Sequence, residues 1–120
     1  MMTPNEIAGL VVNALDNKKA VDIKLLRTRD VTILADYFVI CSANSSTQLK
    51  TLSDEVEKTL KEKGEAPLRR EGRRYGGWVL IDFGCVVVHL FLKETRDFYT
   101  LERLWSDAED VDISAIIGNQ

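Results

Sequence analysis

Apolar residues recur three and four positions apart in some stretches of the chain and alternate or cluster in others, and this change of period separates predicted helices from predicted strands. Thr3-Pro4-Asn5-Glu6 supplies an N-cap, a proline at the first helical position and a capping-box acid. Ile7, Leu10, Val11, Ala14 and Leu15 then repeat on one face until Asn17-Lys18-Lys19, whose positive charge suits a helix C-terminus. That stripe needs a surface to cover. Val21 to Leu26 and Asp36 to Ser42, rich in β-branched or aromatic residues, are predicted to provide it as strands, with Arg27 to Ala35 as their connection. A second helix is predicted from Ser45, where Ser45 and Gln48 have capping-box spacing. Its stripe is Leu49, Leu52, Val56 and Leu60, with Gly64 available for the left-handed C-terminal turn. Asp54 with Lys58 and Glu57 with Lys61 are spaced to pair along its solvent face. A short extended segment, Ala66 to Arg70, follows.

Val79 to Phe83 and Val86 to Phe91 are two β-rich runs around Asp82-Phe83-Gly84-Cys85, which predicts a hairpin. With Phe83-Gly84 as its loop, Trp78 faces His89, Leu80 faces Val87 and Asp82 faces Cys85. Val79, Ile81, Val86, Val88 and Leu90 then form an entirely apolar opposite face. Beyond Lys93-Glu94-Thr95-Arg96-Asp97, helical spacing returns from Phe98 to Trp105. Phe98, Leu101, Leu104 and Trp105 share an apolar arc, whereas Arg96, Tyr99 and Glu102, three residues apart, line a polar strip beside it. Strand, helix and hairpin together predict an α/β fold, a mixed sheet with flanking helices, because a strand-helix-strand crossover favours a parallel pairing.

The chain's 120 residues, 45% hydrophobic and 29% charged, suffice for one core and one domain, expected over residues 1–106. Residues 107–120, acidic and then small and polar with only Ile113, Ile116 and Ile117 to dock them, are expected to form a loose C-terminal tail or one bound to a neighbour. Sixteen Lys and Arg against nineteen Asp and Glu give a net charge of −3, so the overall field opposes nucleic acid and anionic membranes, and any RNA contact must be local. The one basic cluster is Arg69-Arg70-Glu71-Gly72-Arg73-Arg74-Tyr75, which reads as a solvated loop or as a peripheral RNA contact. Cys41 and Cys85 form no disulfide framework, and no apolar run is long enough to span a bilayer or act as a signal peptide. A cytoplasmic protein is expected.

Catalytic signals weaken on inspection. Asp82-Phe83-Gly84 matches the kinase magnesium tripeptide, but the chain has neither a glycine-rich phosphate loop nor a catalytic-loop motif, so the tripeptide reads as a turn. Cys85 and His89 lie roughly 13 Å apart along a strand, too far to chelate one zinc, and there is no second histidine. No metal and no cofactor are expected. His89 reads either as a half-buried, locally hydrogen-bonded partner of Trp78 or as part of an interface. Trp105 belongs to the core arc, whereas Trp78, at a strand start after two glycines, is placed to anchor a partner.

The arrangement W-x-x-x-D-x-G-x-x-x-V-H-x-F from Trp78 to Phe91, followed by R-x-x-Y-x-L-E-x-L-W from Arg96 to Trp105, resembles the ribosomal silencing factor family, RsfS or Iojap. Asp36-Tyr37-Phe38-Val39-Ile40-Cys41-Ser42 with Gln48 resembles its other marked segment, and the length suits a bacterial member without an organellar presequence. The resemblance implies a nucleotidyltransferase-like fold and a non-enzymatic binder. Such a protein docks on large-subunit ribosomal protein fourteen, sterically blocks the small subunit from joining and represses translation. It also implies a homodimer. Partner-binding residues are then expected at Trp78, Asp82, His89, Arg96, Tyr99 and Glu102, with Arg69, Arg70, Arg73 and Arg74 as peripheral ribosomal RNA contacts. A nucleotidyltransferase-like phosphate-transfer enzyme is the alternative, and an assembly protein acting through self-association is a lesser one. Against the enzyme, Ser42-Ala43-Asn44-Ser45 lacks the glycines of a phosphate loop. Asp110-Val111-Asp112 reads as part of an acidic solvated tail, not as a metal pair fixed on a rigid strand.

Overall fold

The computed structural model describes residues 2–28, 35–73, 77–93 and 109–117. The helix expected from Phe98 to Trp105, and with it Arg96, Tyr99 and Glu102, lies outside the described residues, as does Arg74.

Helix α1 spans Pro4–Asn17. Thr3 Oγ1 accepts from the Glu6 amide at 3.2 Å and Glu6 Oε1 accepts from the Thr3 amide at 3.1 Å, so the capping box closes in both directions. Its buried arc is wider than the sequence stripe, taking in Ala8 and Val12 while Leu10 stays half-buried. The helix ends in a Schellman turn: the Ala20 amide donates to Leu15 O and the Lys19 amide to Asp16 O, both at 3.0 Å. Lys19 occupies the left-handed position, with φ of 63°, that glycine usually takes.

Helix α2 spans Ser46–Glu62 and ends in the same motif, here with Gly64 at φ of 83° as expected. At its start Ser45 Oγ accepts from the Gln48 amide at 3.1 Å, but Gln48 does not return the bond to Ser45. Its Oε1 accepts from the Asn44 amide at 2.7 Å, and its Nε2 donates to the carbonyls of Lys18 and Lys19 at 3.3 and 3.0 Å. The expected capping box is therefore half a box and half a clasp between the start of α2 and the end of α1. Gln48→Ala should cost roughly 1–2 kcal/mol in urea unfolding, and Gln48→Glu nearly as much, because a carboxylate cannot donate to the two carbonyls. A Gln48→Glu variant as stable as wild type would show that the clasp contributes nothing.

The strands are β1 (Val21–Arg27), β2 (Tyr37–Ala43), β3 (Arg69–Arg73), β4 (Trp78–Asp82), β5 (Val86–Leu92) and β6 (Glu109–Val111), followed by a short helix α3 (Ser114–Ile117). They form one six-stranded sheet in the order β3-β4-β5-β2-β1-β6. β2 and β5 run parallel at its centre, and the other neighbours pair antiparallel. The mixed α/β sheet expected from the sequence is thus present, with the α2 crossover returning to an outer edge before the chain meanders back to β5. Helices α1 and α2 cover one face, where Val39, Cys41, Val88, Leu90, Ile81 and Leu25 meet Val11, Leu15, Leu52 and Val56.

Two segments differ from expectation. The basic run at Arg69–Arg73 is an edge strand, not a loop, because backbone pairing with β4 needs no apolar side chain. Glu109–Val111 pair with β1, and Val111, Ile113 and Ile116 pack onto the main core, so the described part of the C-terminal segment is docked. The side-chain pairs on α2 also differ: Lys50 Nζ meets Asp54 at 2.9 Å, and Glu57 turns to Arg70 at 3.4 Å.

Candidate functional site

The sheet face turned away from α1 and α2 carries Leu26, Phe38, Ile40 and Phe91 as a second buried cluster, with Trp78 and Val87 partly buried against it. Its β4–β5 corner holds the sequence-nominated residues Trp78, Asp82 and His89. The hairpin that builds this corner is set two residues away from the predicted register: Trp78 pairs with Phe91, Leu80 with His89 and Asp82 with Val87. The cause is the turn. The Phe83 amide donates to Val86 O at 2.9 Å, making Gly84-Cys85 the loop, and Gly84 at φ of 91° takes the first central position, which only glycine fills without strain. Asp82 Oδ1 accepts from the Gly84 amide at 2.7 Å and locks that choice. A shift of two residues preserves which side chains share a face, so the division into an apolar face and a mixed face survives.

Trp78 is half-buried at the outer end of the corner. Asp82, on the same face and roughly 13 Å along the strand, is occupied twice, by the Gly84 amide and by Arg69 Nε at 3.8 Å. His89 sits deeper than either expectation, only 7% exposed. Its ring lies 5.0 Å from Phe38 and stacks nearly parallel to Phe91 at 6.3 Å, and among the described residues neither ring nitrogen has a hydrogen-bond partner. Burial without compensation pushes its pKa down to about 4, so the imidazole is neutral at physiological pH.

The basic edge beside this corner is largely neutralised from within. Arg69 meets Glu71 at 3.1 Å and Asp82, whereas Arg70 points to the helix face, donating to Ser53 Oγ at 2.6 Å and to Glu57 at 3.4 Å. At Gly72 this strand leaves no room for a side chain: a Cβ there would stand 2.3 Å from Trp78 O and 2.8 Å from Val79 Cα, and φ is 128°. Arg70 is not separable from the other arginines of the run by residue type. Only the alternation of sides along a strand distinguishes Arg70 from Arg69.

Other nominated chemistry resolves into structure. Cys85 O accepts from the Asp36 and Tyr37 amides at 2.8 and 3.1 Å, tying the hairpin turn to the start of β2, and partial burial pushes the thiol pKa up, away from a thiolate nucleophile. Asp112 Oδ1 accepts from the Ser114 amide at 2.9 Å, a bond that starts α3 and holds its carboxyl below the usual range. Among the described residues no three His, Cys, Asp or Glu side chains come together as a metal site, and no helix is long and apolar enough to cross a membrane.

The model of the family described as ribosomal silencing factor during starvation matches residues 2–120. The ribosomal silencing factor RsfS of Halalkalibacterium halodurans is 41% identical over 116 residues, covering 97% of this chain and 99% of that protein. A mouse protein, mitochondrial assembly of ribosomal large subunit protein 1, is 34% identical over 100 residues, covering 81% of this chain and 44% of its own length. A crystal structure of a protein from Chromobacterium violaceum superposes with a TM-score of 0.84 at 39% identity, covering 88% of each chain.

Proposed function

Since this chain belongs to the ribosomal silencing factor family, we propose that it binds the large ribosomal subunit through large-subunit ribosomal protein fourteen and sterically keeps the small subunit from joining, which represses translation. The observation that carries this reading is the family match from residue 2 to residue 120, which takes in the whole β4–β5 corner. Kinship with a mouse protein named for large-subunit assembly supports the choice of subunit. In this reading Trp78 and Asp82 present the binding surface together with Arg96, Tyr99 and Glu102, while His89 lies under it. Arg69, Arg73 and Arg74 are the peripheral RNA contacts of the same reading, whereas Arg70, expected among them, is turned inward to Ser53 and Glu57. The protein acts in the cytoplasm without catalysis and forms a homodimer.

Co-sedimentation with separated subunits tests the proposal. The protein should pellet with large subunits alone, and small subunits added afterwards should fail to join them. Equal pelleting with both subunits, or with neither, overturns it, as does pyrophosphate release from nucleoside triphosphates and magnesium.

Trp78 offers the sharper test. Its ring is a large, half-buried apolar group at the corner, and truncating such an anchor often costs about 2 kcal/mol or more of binding. Trp78→Ala should weaken large-subunit binding by about tenfold or more. Thermal unfolding should stay cooperative, because the main core lies on the other face of the sheet. Unchanged affinity would remove Trp78 from the contact.

A further inference from the structure

Strand β3 reads Arg69-Arg70-Glu71-Gly72-Arg73, without one apolar side chain to bury, yet it is the outer neighbour on which β4 and Trp78 rest. Hydrophobic burial therefore contributes nothing to holding it, and edge strands of that kind fall at the low-stability end of a fold. What the strand does have is Arg70. It lies opposite Ile81, whose side chain is fully buried on the helix-covered face, so the guanidinium is delivered to α2 rather than to solvent. There it donates to Ser53 Oγ at 2.6 Å and to Glu57 Oε2 at 3.4 Å. Ser53 is fully buried, and Ser53 and Glu57 are four residues apart, one turn along the same side of the helix. A forked cation thus meets two acceptors at one helical repeat, a geometry that fixes its orientation as well as its position.

We infer that Arg70 is a positioning residue, a strut that pins the β3 edge to α2 and thereby seats Trp78, and that it is not itself a contact to the partner. The inference deepens the ribosome-binding reading and rests on it for its functional half. The backbone ladder supplies the mechanical link: β3 pairs with β4 from Arg69 opposite Asp82 to Arg73 opposite Trp78, so displacement of β3 removes the outer partner of Trp78. The arginines of this run then divide into distinct duties. Arg70 is spent inside the fold, and Arg69 balances Asp82 and Glu71 on the opposite face.

Hydrogen exchange of the free protein and large-subunit binding, measured on the same variants, test the assignment. Arg70→Ala should speed amide exchange in β3 and β4 by about tenfold, leave α1 and β2 unchanged, and weaken large-subunit binding severalfold. The reversed pair, Glu57→Arg with Arg70→Glu, should restore both properties, because an acid at 70 can accept from Ser53 and from the new arginine. A direct contact to ribosomal RNA or protein predicts the opposite pattern: Arg70→Ala weakens binding with exchange unchanged, and the reversed pair binds worse still. That pattern overturns the strut. If wild type itself fails to bind large subunits, the ribosome-binding reading falls, and the exchange arm still decides whether Arg70 holds the edge.

Discussion

Gly72→Ala should be among the most damaging single-methyl additions available in this chain, lowering stability by roughly 3 kcal/mol or more in urea unfolding. The added carbon would stand 2.3 Å from Trp78 O and 2.8 Å from Val79 Cα, and both obstacles are backbone, which cannot swing aside as a side-chain tip does. A φ of 128° adds strain for any residue with a Cβ. β3 and β4 must then separate, so the variant should also lose exchange protection along both strands and bind large subunits poorly. Gly9→Ala is the matched control, since a Cβ at Gly9 meets nothing within 4 Å and alanine favours the helix there. Equal stabilities for the two variants would mean that the close approach at Gly72 relaxes at little cost.

Acid should weaken the protein through one buried imidazole as pH falls from 6.5 towards 4. His89 has a folded pKa of about 4 against an ordinary 6.5, so between those values the unfolded chain binds a proton that the folded chain refuses. The stabilisation is therefore complete above pH 6.5 and is lost progressively as pH falls towards 4, for a total of about 3 kcal/mol at 1.36 kcal/mol per unit. Urea midpoints at intervals across that window should fall steadily for wild type. His89→Leu should flatten the slope and be at least as stable at neutral pH, because it also removes two buried nitrogens that have no partner among the described residues. Parallel slopes for the two proteins would refute the assignment. Glu6 and Asp112, whose carboxyls are held below their usual range by hydrogen bonds with Thr3 and Ser114, are present in both proteins, so the comparison with His89→Leu cancels their contribution.

What was legible in the sequence follows from how local each signal is. Helix α1 is specified by neighbours, Thr3 with Glu6 and a stripe three and four apart, and both bonds of its capping box form as expected. The β4–β5 hairpin was visible, and which side chains share a face was recoverable, because face depends only on parity. Its register turned on whether Gly84 stood first or second in the loop, a choice decided by the Asp82 carboxylate closing on the Gly84 amide. β3 is anticipated only in its first residues, by the extended segment expected over Ala66 to Arg70, and β6 not at all, because short edge strands in basic and acidic runs carry no hydrophobic period and read as solvent-facing. Gln48 shows the same limit, since spacing identified its amide as capped by Ser45 but could not foresee that the end of α1 would lie within reach of its side chain. Among the nominated binding residues, Trp78 and Asp82 share the mixed face as expected. The depth of His89 depends on Phe38 from a strand far away in sequence, so no local pattern contained it.

The parallel pair at the centre of the sheet has a consequence for how the chain is made. β2 is enclosed in the finished molecule, all seven of its residues buried, and its inner neighbour β5 follows only after α2, β3 and β4 have been synthesised. During vectorial synthesis β1 and β2 can pair as soon as both have emerged, but the inner edge of that ribbon must wait, unpaired and apolar, for Val86–Leu92. Long-range pairing of this sort slows folding and leaves the intermediate prone to aggregation. Truncated chains ending before β5 should therefore be sticky and chaperone-dependent, whereas chains completed through β5 can close the centre of the sheet.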